Sequence, residues 1–213
     1  MGMYVDRCIA RLPQLAPQMD AIEAAVDMIV MAVRKGNKVM TCGNGGSAAD
    51  AEHIVGELMK AFLLPRPLPP EKVRGMRDNG CPEAIVAALQ QGIPAISLVG
   101  GVALPTAFAN DVNPEYVFAQ QVYALGREGD VLLALSTSGN SANVLAALRV
   151  ARATGVGTIG LTGRSPCALA DLADICIAAP ETETALVQEL HLPIYHALCA
   201  DVEHILFSGQ TQQ

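Results

Sequence analysis

The sequence predicts a doubly wound α/β domain with five parallel strands. Five short, continuously apolar runs are spread along the chain, a helical stretch follows most of them, and two of the runs end in turns crowded with Gly and Ser. Strands covered on both faces read as unbroken apolar runs, and strands alternating with helices build parallel sheets. The predicted strands are Lys38–Cys42, Pro94–Val99, Val131–Ser136, Gly157–Thr162 and Asp174–Ala178. At 213 residues the chain has the length of one compact domain, taken here as 1–213.

The elements follow in order. From Asp20 to Val33, Ile22, Ala25, Val26, Ile29, Val30 and Val33 recur at helical spacing, and Lys35-Gly36 ends the run. A second helix follows the first strand and ends near Phe62. Leu63–Gly80 then breaks the rhythm with Pro65, Pro67, Pro69 and Pro70, and a helical piece, Pro82–Gln91, precedes the second strand. Residues 63–91 thus read as an extended loop and helix insertion. Lys60, Arg66, Lys72, Arg74 and Arg77 make it either a solvated loop or a lid whose cations meet an anionic substrate. A helix is expected over Ala142–Thr154, and a long helix from about Glu183 to Phe207 closes the domain.

Composition narrows the function. Fourteen Lys and Arg against twenty-one Asp and Glu leave a formal net charge of −7, which argues against nucleic acid and anionic membranes as partners. With four Tyr, four Phe and no Trp, there is little material for stacking bases. The chain is 51% apolar and 16% charged, so it folds and has apolar surface to bury between subunits. No apolar run approaches the roughly 20 residues of a membrane helix. Met1–Arg11 lacks a basic start followed by an apolar stretch, so no signal peptide is expected. Cys8, Cys42, Cys81, Cys167, Cys176 and Cys199 form no C-x-x-C pair and read as reduced core residues of a cytoplasmic protein.

In doubly wound sheets ligands bind beyond the carboxyl ends of the strands, so the strand-to-helix turns matter most. The first, Cys42 to Ala48, contains G-x-G-x-x-A. It lacks the acidic residue about 20 positions on that a dinucleotide site needs, and the chain has no P-loop motif. The turn after the third strand, Ser136-Thr137-Ser138-Gly139-Asn140-Ser141, places four hydroxyls and a glycine where a helix presents unpaired N–H groups. Capping needs only one hydroxyl. Four suit a phosphate held by backbone donors, hydroxyls and the positive end of a helix dipole.

Asp50, His53 and Glu57 follow the first turn at spacings of three and four, on one face of a helix that its neighbours Ala49, Ile54 and Leu58 make largely buried. A His and a Glu at i, i+4 can share a metal ion, work as base and orienting group, or form a plain ion pair. The last helix carries Gln188, Glu189, His191, His196 and His204. Gln188 and His196, eight residues apart, are separated by roughly 12 Å along an unkinked axis. They therefore reach different sites, unless Pro193 kinks the helix between them or one is lent across a subunit interface.

CGNGGSAADAEHIVGEL, FAND at Phe108–Asp111, REGDVLLALSTSGNSANV and QELHLPIYH at Gln188–His196 resemble the sugar isomerase (SIS) domain family, and within it the bacterial phosphoheptose isomerases. The resemblance covers nearly the whole chain outside Leu63–Gln91. It implies a flavodoxin-like sheet and isomerisation of sedoheptulose 7-phosphate to D-glycero-D-manno-heptose 7-phosphate through a cis-enediol(ate). It further implies a homotetramer with active sites at subunit interfaces, and phosphate binding by Ser136, Thr137, Ser138 and Ser141. Asn44, Gly45, Gly46, Ser47, Asn110, Asp111 and Gln188 would lie against the substrate. Glu57 and His196 would be the acid–base pair, and His53, Glu57, Gln188 and His196 would hold one zinc ion per subunit.

Burial is expected to raise the pKa of Glu57 toward neutrality, which suits a base, while ligation to zinc would compete with that role. His191 matches a position that non-catalytic relatives share, so a structural role is expected. The alternative is a non-catalytic adaptor resembling the DnaA-initiator-associating proteins, which lack the residues matching Glu57 and His196. The chain departs from the family at Ala61, Ala185 and Leu186, where the resemblance leads one to expect charged residues, and in the length of residues 63–91.

Overall fold

The computed structural model describes residues 2–164 and 166–210. Five strands form one parallel sheet in the order β2-β1-β3-β4-β5: β1 (Val39–Cys42), β2 (Ala95–Ser97), β3 (Val131–Ser136), β4 (Gly157–Thr162) and β5 (Ile175–Ala178). The expected strands are present: β3 and β4 keep their expected bounds, and β1, β2 and β5 are shorter. β1 and β3 are buried along their whole length, whereas β2 and β5 at the sheet edges are only partly covered. The unbroken apolar runs have that cause: each inner strand must satisfy a core on both faces.

The helices make two layers. On one face lie α1 (Met3–Arg11), α2 (Met19–Arg34), α3 (Gly46–Met59) and the last helix, α10 (Thr184–Phe207). Their Ile22, Ile29, Ile54, Leu58 and Ile194 pack with Val131, Leu133 and Leu135 of β3. On the other face α7 (Val117–Leu125), α8 (Ala142–Ala153) and α9 (Ala168–Leu172) bury Val122, Leu145 and Leu169 against Leu132 and Ala134. The two-residue alternation along β3 divides its side chains between the layers. α10 continues through Pro193, and the Pro193 carbonyl accepts a hydrogen bond from Cys8 Sγ. All six cysteines are free, and Cys8, Cys42, Cys167 and Cys199 are buried.

The segment expected as a loop differs. Leu63–Gly80 contains a helix, α4 (Pro70–Asp78), and α5 (Glu83–Ala88) follows. Pro70 occupies the first helical position, where its missing N–H costs nothing and its fixed φ helps. An isolated bridge between Pro67 and Gln90 closes the neck of this pair.

At that neck Arg66 and Glu203 form an ion pair whose side chains are fully buried, with Nε to Oε1 at 2.7 Å. Glu203 also accepts the N–H groups of Phe62, Leu63 and Leu64. Arg66 donates to the carbonyls of Leu58 and Glu57, which satisfies two acceptors at the C-terminal end of α3. α6 (Ala103–Asp111), a 3-10 turn at Pro114–Tyr116 and α7 connect β2 to β3.

Candidate active site

The sheet order reverses between β1 and β3, and the turns after these two strands face each other there, as ligand sites in this architecture do. A cavity of about 290 Å³ lies between them. Asn44, Gly45, Gly46 and Ser47 line it from the first turn, Ser136, Thr137 and Ser141 from the second, and Thr184 and Gln188 from α10. Each turn runs into a helix N-terminus, of α3 and of α8 respectively, so two positive dipole ends meet at one place.

Ser141 occupies the N-cap position of α8, yet its side chain makes no capping hydrogen bond. Its Oγ lies 3.0 Å from Ser136 Oγ. The hydroxyls therefore serve the cavity rather than the helix end. Ser138 is exposed, does not line the cavity and accepts the Asn140 N–H. Asn44 and Asn143 exchange amide hydrogen bonds at 2.9 Å, which ties the two turns together. A Cβ on Gly46 would stand 2.5 Å from Gln188 Nε2, so the glycine lets the side chain of α10 approach.

A second constellation stands on α3 and α10. His53 Nε2 is 3.1 Å from Glu57 Oε1 and 3.4 Å from His196 Nε2. These three ligand atoms lie within 4.8 Å of one another, and the residues could hold a metal ion. Two imidazoles and a carboxylate suit zinc, whose tetrahedral bonds of about 2.0–2.2 Å put ligand atoms about 3.3 Å apart. Behind them the Tyr195 hydroxyl donates to Asp50 Oδ1 at 3.1 Å and meets His53 Nδ1 at 3.0 Å. Phe62 packs on the His196 ring from the other side, with centroids 5.6 Å apart.

The electrostatics depart from expectation at Glu57. Burial pushes its pKa up, but the hydrogen bond and charge of Lys60, 2.8 Å from Oε2, and then the His53 ring in its protonated form, outweigh it and hold the carboxyl below its ordinary value. The α3 face is less buried than expected. Ala49 is exposed, the His53 side chain is 41% exposed and that of Glu57 13%. Burial, then the neighbouring His53, lowers the pKa of His196. His191 is fully buried with Nε2 on the Thr162 carbonyl, and burial lowers its pKa too.

The site residues thus fall into three groups within one chain. His53, Glu57 and His196 converge. Gln188 stands apart from them in the hydroxyl-lined cavity, whereas His196 lines a different cavity, of about 550 Å³, with Arg7, Arg11 and Phe62. Asn110 and Asp111 are exposed on α6, hydrogen-bonded to each other and outside both cavities. Of the insertion's cations, Arg66 is buried in the neck and Arg77 pairs with Glu83, so neither is a free clamp. Tyr195 and Phe62 were not expected at the site, and Lys60, read as a lid cation, pairs with Glu57 instead. The i, i+3 spacing of Glu57 and Lys60 was legible, but the other two come close only through tertiary packing.

A family model described as SIS domain matches residues 3–81 and 83–163. The chain is 41% identical over 201 residues to a phosphoheptose isomerase of Rhodospirillum rubrum, covering 94% of this chain and 93% of that protein. It is 42% identical over 195 residues to one from Thiobacillus denitrificans, covering 90% and 85%. Among solved structures, a phosphoheptose isomerase from Francisella tularensis superimposes with a TM-score of 0.75 at 33% identity, covering 94% of this chain and 95% of that one.

Proposed function

The chain belongs to the SIS domain family, and on that premise we propose that it is a phosphosugar isomerase that interconverts sedoheptulose 7-phosphate and D-glycero-D-manno-heptose 7-phosphate. The observation that carries this reading is the convergence of Glu57 and His196, 139 positions apart in sequence, in a chain that also builds a cation-free, hydroxyl-lined cavity at two helix N-termini. Relatives about 40% identical over most of the chain and named phosphoheptose isomerases support it.

The phosphate rests on the hydroxyls of Ser136, Thr137 and Ser141 and on the amides of the turns, with Asn44, Gly45, Gly46 and Ser47 alongside and Ser138, whose Oγ is 3.5 Å from that of Ser136, outside the cavity lining. Glu57, ionised at neutral pH, takes a proton from C1 of the open-chain ketose and returns it to C2. His196 carries a proton from the O1 side to O2, so the cis-enediol(ate) collapses to the aldose. A carboxylate held below its ordinary pKa is a weak base, so the reaction leans on stabilising the charge that develops on the substrate oxygens. His53, Glu57 and His196 would hold a zinc ion, with Gln188 as a fourth ligand. Zinc, when bound, supplies Lewis-acid stabilisation of that charge.

Roughly 12 Å of α10 separates Gln188 from His196, so in this reading the fourth ligand and the phosphate cavity come from a second copy of the chain. The surface supports it. None of the residues of α6 is buried, and Val102 beside it and Tyr123 on α7 are 77% and 71% exposed. Copies packed over this face, as a homotetramer, would also bring Asn110 and Asp111 of one chain to the site of another. Six free cysteines, four of them buried, fit a cytoplasmic location, and among the described residues no helix is long and apolar enough to cross a membrane.

The test is an isomerisation assay on ketose phosphates of five to seven carbons. Turnover of the seven-carbon substrate is expected. Inertness across the panel, with tight binding to a protein partner, would favour an adaptor instead.

A further inference from the structure

The buried contacts behind His53 fix which of its nitrogens carries the proton. The Tyr195 hydroxyl has one proton and two partners, Asp50 Oδ1 at 3.1 Å and His53 Nδ1 at 3.0 Å. An ionised carboxylate can only accept, so the phenolic proton goes to Asp50. The phenolic oxygen is then left to accept, and the group facing it must be Nδ1–H of His53. A neutral imidazole carries one proton, so Nε2 is bare. That bare nitrogen points at Glu57 Oε1, 3.1 Å away, and at His196 Nε2, 3.4 Å away. A lone pair facing a carboxylate is repulsive unless a cation lies between them.

We propose that Asp50 and Tyr195 act as a tautomer lock on His53, holding its proton on Nδ1 so that the Nε2 lone pair is presented to Glu57 and His196 as a cation ligand. The purpose assigned to the lock rests on the reading that these three residues hold a divalent ion. Without the hydroxyl, His53 would donate from Nε2 to Glu57 and close the site with an ordinary hydrogen bond. Tyr195 is well placed to be rigid: it is 1% exposed, and its ring meets those of His53 and His196 edge-on. It touches no reacting atom and is a positioning residue. Partners of this kind, which fix the ring of a liganding histidine, typically change metal affinity by 10–100-fold.

Two measurements test the proposal. Long-range ¹⁵N–¹H spectra of the metal-free protein, at a pH where the imidazole is neutral, are expected to show His53 protonated at Nδ1. In Tyr195→Phe the proton should move to Nε2. Asp50→Asn should do the same while retaining the hydrogen bond, because an amide can donate to the phenol and turn its proton toward His53. A loss of packing alone would not move this signature.

In competition with a chromophoric chelator, both variants should bind zinc about 10–100-fold more weakly than the parent. A parent protein with the proton on Nε2, or variants with the parent's tautomer and zinc affinity, would overturn the lock. A parent protein that shows the Nδ1–H form and binds no zinc would uphold the lock and overturn the metal reading.

Discussion

At Glu57 the groups that touch the carboxylate together outweigh its burial. Lys60 engages Oε2 and His53 engages Oε1, so the carboxylate is ionised and oriented before substrate arrives. Glu57→Gln keeps the shape and removes the base, and turnover should fall at least about a hundredfold with the fold intact. Steady-state kinetics and circular dichroism check this, and a variant with normal turnover would remove Glu57 from the reaction. His196 gives the pH dependence its sign. Its pKa lies below the ordinary 6.5, because burial and His53 disfavour the charged ring, so it stays neutral and able to accept a proton as pH falls through that value. The acid limb of kcat/KM assigned to His196 should therefore lie below 6.5, and a limb at or above it would contradict that assignment.

At the scale of elements, the neck of the insertion and the two turns carry separate loads. Arg66 and Glu203 are both fully buried, and Glu203 also holds three backbone N–H groups of the chain leaving α3. Glu203→Ala leaves a buried guanidinium unpaired, so it should destabilise the protein by roughly 3–5 kcal/mol, read from urea unfolding. Loss of the anchor should also loosen Phe62, which packs on His196. In the turn after β3, Gly139 has φ +64, and a Cβ there would lie 2.2 Å from Cys167 Sγ. Gly139→Ala should weaken phosphate binding and raise KM for the sugar phosphate, because the Ser136–Ser141 turn cannot keep its shape. An unchanged KM would detach this turn from the substrate.

The whole molecule leaves its two half-sites apart. His196, of the His53–Glu57–His196 group, lines one cavity and the hydroxyl cluster lines another, while the face around α6 keeps large apolar side chains in water. Exposed patches of this kind mark association surfaces. Val102→Asp combined with Tyr123→Glu should shift the protein to smaller species in sedimentation velocity and reduce turnover in parallel. A monomer with full activity would show that one chain carries a complete site.

The layered parallel fold was legible in the residue pattern alone, because inner strands covered on both faces need continuous apolar runs and that demand is local. It also singled out the hydroxyl-rich turn Ser136–Ser141, whose crowding exceeds what a helix cap uses and which lines a cavity, and it placed His53 and Glu57 on one helical face. The state of Glu57 follows from where the folded chain sets its neighbours. The predicted upward shift assumed apolar surroundings, whereas Lys60 points its ammonium at the carboxylate and the His53 ring stands beside it. Tyr195 and Phe62 escaped notice for a related reason: nothing in the local pattern of an aromatic residue says whose ring it will meet. Arg66 looked like a lid cation and is a buried strut, because its partner Glu203 lies 137 residues away. Periodicity records which side of an element is dry, while proton positions and charge states depend on neighbours that only the folded chain assembles.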